Sequence, residues 1–209
     1  MTGVELLGDL IIKPEDKQSM SHLGSIVKLR GDALEKYLVE DVKRILRWYP
    51  GWDIVHIGST KPTSEIFKQI NWDGDIPDVD FVLIDPTGKV RLILSSKSSF
   101  QDNSAYASIL HIERYHKMGI KYIVITKDTK SILCTGNSKY LRMLPSGLEN
   151  VIFVNNDKIE TDKDVQHREV NYKWSNIVRP YYELHNFLAS IITNSTVTHS
   201  DFFNFERGQ

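Results

Sequence analysis

The chain of 209 residues has a single cysteine, Cys134, which excludes an internal disulfide and any cysteine-based zinc cluster. It has no excess of either charge: 26 Lys and Arg stand against 27 Asp and Glu, a formal net charge of −1. That balance argues against a protein that coats nucleic acid without discrimination. It leaves room for a DNA enzyme whose basic groove is offset by acid elsewhere. Long hydrophobic runs are missing as well. The apolar stretches are of strand length, so no transmembrane helix is expected and no membrane partner. The N-terminus, MTGVELLGDLIIKPED, carries acid inside its apolar part and no basic lead-in, unlike a signal peptide. A cytoplasmic location is therefore expected. Repeats and low-complexity segments are absent, and the seven histidines form no convincing pair on one helix face. Length and composition suit one domain, residues 1–209, with a substantial core.

What the sequence does contain centres on Ile76 to Ser99, IPDVDFVLIDPTGKVRLILSSKSS. Val79 to Ile84 is apolar at both alternating sets of positions, as a strand buried on both faces would be. Asp85-Pro86-Thr87-Gly88 is a turn signal, and Val90 to Leu94 is a second apolar strand running into Ser95-Ser96-Lys97. With side chains alternating, Asp78 and Asp80 share a face, and so do Ser95 and Lys97. Pairing centred on Thr87 would set Asp78 nearly opposite Ser95. Taken singly, an acid before a strand and a lysine after one are ordinary punctuation. Two carboxylates on one face of a buried strand are costly to desolvate and demand a cation, which Lys97 or a metal would supply.

Around this hairpin the periodicities predict further elements. Val4 to Ile12 is a short helix or strand, and Glu15 to Gly24 reads as loop. Asp32 caps a helix reaching Tyr49, with Glu35 completing a capping box and Leu34, Tyr37, Leu38, Val42, Ile45 and Tyr49 as its buried stripe. Glu35 thus stands at the N-terminal end of that stripe. Trp52 to Ile57 is a strand, and the polar stretch 58–75 holds a short helix around Ser64 to Ile70. Gln101-Asp102-Asn103 starts a helix over Ser104 to Met118, with Ala105, Ile109, Ile112 and His116 buried and Glu113 on the edge of that face. Lys121 to Thr126 is a strand. Beyond it, Ser131 to Thr135 reads as a strand facing Val151 to Asn155, Asp157 to Glu169 as a charged loop, and Pro180 as the opening of a helix with Leu184, Phe187, Leu188 and Ile191 on one face. The tail His199 to Gln209 carries three phenylalanines.

Pro77-Asp78, Lys97 and the order helix, three strands, helix, strand resemble the PD-(D/E)XK nuclease superfamily. Ser95 stands where that pattern has a second acid. Ser95-Ser96-Lys97 is similar to a subgroup of restriction endonucleases, many reading CCGG or CCNGG-like sites, whose missing carboxylate comes from the following helix. The resemblance implies an α/β (α+β) fold, a mixed central sheet flanked by helices, with the common core at about 32–126 and a C-terminal elaboration at 127–209. It implies a sequence-specific, double-stranded DNA endonuclease of type II, a homodimer using Mg²⁺ (Mn²⁺ substituting) and leaving 5′-phosphate and 3′-hydroxyl ends. Asp78 and Asp80 would hold the metal, and Glu113, sixteen residues past Lys97, would supply the displaced carboxylate. Lys97 would act on the attacking water, Ser95 on a metal-bound water, and Glu35 as an outer ligand. Ser59, Thr60, Lys61 and Lys68 would touch DNA. Two other readings stay open. RGDALEKYL is similar to the first helix of archaeal-type Holliday junction resolvases, and Ser95 would also suit an inactive DNA-binding or partner subunit.

Overall fold

In a computed structural model of the chain, the residues described are 5–7, 10–12, 14–57, 64–71, 79–97, 100, 102–127, 141–144, 148–155 and 176–194. Two short strands, β1 (Glu5–Leu7) and β2 (Leu10–Ile12), pair antiparallel. The helix α1 follows over Pro14–Leu46. This corrects two expectations at once: residues 15–24 are helical, and Asp32 and Glu35 lie inside the helix rather than capping it. The reason is that nothing between Pro14 and Pro50 breaks a helix outright. Pro14 sits at its first turn, where a missing N–H is harmless. Gly24 and Gly31 each weaken it by only about 1 kcal/mol.

Then come β3 (Asp53–His56), α2 (Ser64–Ile70), β4 (Phe81–Ile84), β5 (Val90–Lys97), α3 (Asp102–Lys117) and β6 (Lys121–Thr126). The expected order of a helix, three strands, a helix and a strand is present, with α2 inserted after the first of those strands. A 3₁₀ turn at Leu141–Met143, β7 (Ile152–Val154), β8 (Val178–Pro180), a second 3₁₀ turn at Tyr181–Glu183 and α4 (Leu184–Asn194) complete it. Pro180 therefore closes a strand before the helix begins. Of the two strands expected to face each other, 131–135 lies outside the described residues, as do the loop 157–169 and the tail 199–209. β7 instead pairs with β6 and β8.

The fold is α/β: six strands form one mixed sheet in the order β3-β4-β5-β6-β7-β8. β3, β4 and β5 are antiparallel, whereas β5 through β8 run parallel. One face packs α2 and α3 through Ile66, Ile70, Ala105, Ile109, Ile112 and Tyr115 on Val82, Ile93 and Val124. The other packs α1 and α4 through Leu38, Val42, Leu184 and Leu188 on Phe81, Leu83, Leu92, Leu94 and Phe153. In α3, Ala105, Ile109 and Ile112 are buried as expected, whereas His116 is exposed and Tyr115 is buried instead; the Tyr115 hydroxyl donates to the Ile70 carbonyl at 2.8 Å, tying α3 to α2. Gly119, at φ 72°, ends α3 in a left-handed turn that a side chain would strain. Buried Asp41 ties α1 to α4. It accepts hydrogen bonds from Tyr181 at 3.0 Å and His185 at 3.2 Å, and it pairs with Arg44. Burial alone would raise its pKa; the bonds from Arg44, Tyr181 and His185 outweigh that and hold it below 3.8.

The closed end of the β4–β5 hairpin is organised by Asp85. Its buried carboxylate accepts from the Thr87 N–H at 2.9 Å, the Thr87 hydroxyl at 2.6 Å, the Lys89 N–H at 3.0 Å and Arg91 Nε at 2.6 Å. Gly88 takes φ 80° to close the turn. Leu83 pairs with Leu92 but Ile84 with Val90, so Arg91 is an extra, bulged residue. Ile84 and Val90 pair as a simple fold about Thr87 would have them, and the bulge shifts every pair beyond by one residue. Phe81 faces Leu94, so the next position, Asp80 rather than Asp78, lies opposite Ser95. Burial would raise the pKa of Asp85, but the bonds from Thr87, Arg91 and Lys89 outweigh it and lower the value below 3.8. A carboxyl with a depressed folded pKa stabilises above its unfolded pKa, and loses that contribution as pH falls through the folded value. Replacing Asp85 by Ala leaves Arg91 and two N–H groups without their acceptor. It should cost about 3–5 kcal/mol in urea unfolding, with the difference from wild type shrinking below about pH 4. A loss under about 1 kcal/mol at pH 7 would show that the turn does not depend on it.

Candidate active site at the open end of the hairpin

At the other end of the hairpin, β3 ends, β4 begins and β5 ends at one edge of the sheet. The Ile57 N–H donates to the Asp80 carbonyl at 2.7 Å, continuing the β3–β4 pairing one step past the strands. The Asp80 carboxylate crosses to β5, where Oδ2 accepts from Ser95 Oγ at 3.1 Å and from the Ser96 N–H at 2.6 Å. Ser95 is fully buried. An acid that grips a strand this way is fixed in orientation before any ligand arrives, because the backbone donor cannot rotate away.

Glu35 reaches the same edge from α1. Its pKa is raised above 4.5, first by burial and next by the charge of Asp80, while His56 and Lys97 pull it down. Two carboxylates and a lysine thus share one electrostatic neighbourhood. His56 is the fourth member: its Nε2 stands 3.4 Å from Glu35 Oε2, and its ring stacks on Phe81, with centroids 4.7 Å apart. His56 was not singled out from the sequence. The available signal was its place at the end of the strand Trp52 to Ile57, on the same face as Ile54.

The structure does not bring every expected residue to this edge. Asp78, Ser59, Thr60 and Lys61 lie outside the described residues. Lys68 is exposed on α2, next to Gln69, whose side chain bonds Gly88 and Val90 at the closed end of the hairpin. Seven residues of strand separate Val90 from Lys97, about 23 Å. Glu113 lies eleven residues into α3, about 16 Å along the helix from its start. α3 runs back from the end of β5 to the start of β6, which pairs with Leu92. Glu113 accordingly sits toward the far edge, where its carboxylate takes the Lys117 ammonium at 2.8 Å.

Among the described residues, no three His, Cys, Asp or Glu side chains are grouped to hold a metal ion. Asp80 and Glu35 are two carboxylates that act on each other, and Mg²⁺ is commonly bound by one or two carboxylates with water and phosphate filling the remaining positions. Their hard oxygen donors and mutual repulsion fit such a cation. Ser96, whose N–H holds Asp80, also has a buried hydroxyl with no hydrogen-bond partner among the described residues. No protein-family model matches the chain, and neither a curated protein nor a solved structure matches it.

If Asp80 and Glu35 share one site, Asp80→Asn should let Glu35 titrate at a lower pH than in the parent, read from carboxyl ¹³C shifts against pH. A Glu35 midpoint that stays put would place Asp80 electrostatically apart from it.

Proposed function

We propose that this edge is the active site of a divalent-cation-dependent endonuclease acting on double-stranded DNA, with a core of the PD-(D/E)XK kind. The observation that carries the reading is the Asp80 carboxylate bound across the hairpin to Ser95 and Ser96, one residue from Lys97 and within the field of Glu35. Phosphodiester hydrolysis needs a hard cation, a poised water and relief of the negative charge that grows on phosphate. Asp80 and Glu35 would hold Mg²⁺ or Mn²⁺, with Asp78 a further ligand on sequence grounds. The cation supplies charge for phosphate oxygens and for a bound water. Ser95, occupied by Asp80, serves to aim that carboxylate rather than to replace an acid. Lys97 orients the attacking water and offsets charge on the reacting phosphate. The proton that the water releases passes to solvent, and the departing 3′ oxygen takes one from a water. Water's oxygen bonds to phosphorus as the bond to the 3′ oxygen breaks, leaving 5′-phosphate and 3′-hydroxyl ends. A homodimer would place two such edges on the two strands.

Supercoiled plasmid incubated with Mg²⁺, with Mn²⁺ and with EDTA tests the reading. Nicked and linear DNA should form in either metal and not in EDTA. Lys97→Ala should lower turnover at least about a hundredfold without unfolding the chain. Lys97→Arg should not restore it, because a planar guanidinium neither matches an ammonium nor readily loses a proton. Cutting that continues in EDTA would refute the cation-dependent site, and cutting of four-way junctions but not plasmid would move the substrate to branched DNA.

A further inference from the structure

Thr126, the last residue of β6, is set directly beside Lys97 by the parallel register. Paired residues of neighbouring parallel strands point to the same face, with backbones about 4.8 Å apart. The main chain on both sides is fixed. The Lys127 N–H donates to the Lys97 carbonyl at 3.1 Å, and the Asn155 N–H to the Thr126 carbonyl at 2.8 Å. The Thr126 side chain is 0% exposed, yet its hydroxyl has no hydrogen-bond partner among the described residues. Its four predecessors, Tyr122 to Ile125, are buried side chains of an ordinary core strand. Valine would fill the same volume with the same branching and would leave no buried hydroxyl unsatisfied. A stability-lowering choice beside a candidate catalytic lysine points to use rather than to packing.

Lys97 has a flexible four-carbon stem and three donors on its ammonium, and a threonine hydroxyl can accept. In the free protein the ammonium is felt at Glu35. We propose that Thr126 is a positioning residue for Lys97. Its hydroxyl gives the ammonium a second resting place in the free protein, reached directly or through one water, in exchange with the neighbourhood of Glu35, and that place steadies the ammonium when it turns toward a bound phosphate. This rests on the nuclease reading for its purpose, but the contact itself does not.

The test compares wild type, Thr126→Val and Thr126→Ser in the full chain, by three measurements. The valine variant should melt at or above the wild-type temperature, since it removes an unsatisfied hydroxyl. Its Lys97 should be acetylated by acetic anhydride about two- to tenfold faster at fixed pH, read by peptide mass spectrometry, because one resting place is lost. Its turnover on plasmid should fall about tenfold with KM little changed, and the serine variant should recover both rates. Equal acetylation in wild type and the valine variant would overturn the contact. Altered acetylation with unaltered turnover, or no recovery in serine, would overturn the positioning role. If the valine chain does not fold, Thr126→Ala serves the same comparison. A wild-type chain that cuts no DNA would refute the nuclease reading, and the acetylation rates would still decide whether Thr126 holds Lys97.

Discussion

Four hydrogen bonds onto one buried carboxylate, that of Asp85, set the register of the β4–β5 hairpin and with it the identity of the site at the opposite end. A bulge adds one residue to one strand, so every partner beyond it changes. Asp85 draws Arg91 into a bulge, and the shift that follows presents Asp80 to Ser95. The flanking structure follows from the same pairing. Val90 and Ile93 reach the α2–α3 face together only because of the extra residue between them, and Leu92 and Leu94 are left for α1 and α4.

The open end is built against stability. A carboxylate anchored on a buried serine, a second carboxylate with raised proton affinity, and hydroxyls at Ser96 and Thr126 with no partner among the described residues are arrangements that do not favour packing. They are gathered where β5 and β6 end, at the carboxyl edge of the parallel half of the sheet. Ligands of open α/β sheets bind beyond such strand ends. Elsewhere in the core, Asp41 is held by Arg44, Tyr181 and His185.

Much of the fold was legible in the sequence because the periodicities are strong. β3, β6, the short α2 and α3 fall where alternation and helix spacing place them, within a residue or two. The length of α1 was not, since Asp32 looks like a cap whenever the residues before it are discounted for lacking an apolar stripe. The exact hairpin partners were hidden too: a bulge depends on where Arg91 can reach, and no local pattern announces that. Lys97, Ser95, Asp80 and Glu35 were visible as chemistry-bearing types at strand and helix ends. His56 was not, because an isolated histidine carries no spacing signal and matters only through the antiparallel pairing that stacks it on Phe81. Glu113 was chosen by interval and helix face; the direction in which α3 runs, which a single helix's sequence does not contain, carries it away from Lys97.

The central claim is that Asp80, aimed by Ser95 and Ser96, is the inner carboxylate of a cation site. Anomalous diffraction from crystals soaked in Mn²⁺, recorded for wild type and Asp80→Asn, measures this directly. The account predicts a manganese peak about 2.0–2.3 Å from an Asp80 carboxylate oxygen, with Glu35 on the same side, and its loss in the asparagine variant. A peak that persists without the Asp80 charge, or one that forms only at another edge of the sheet, would contradict it.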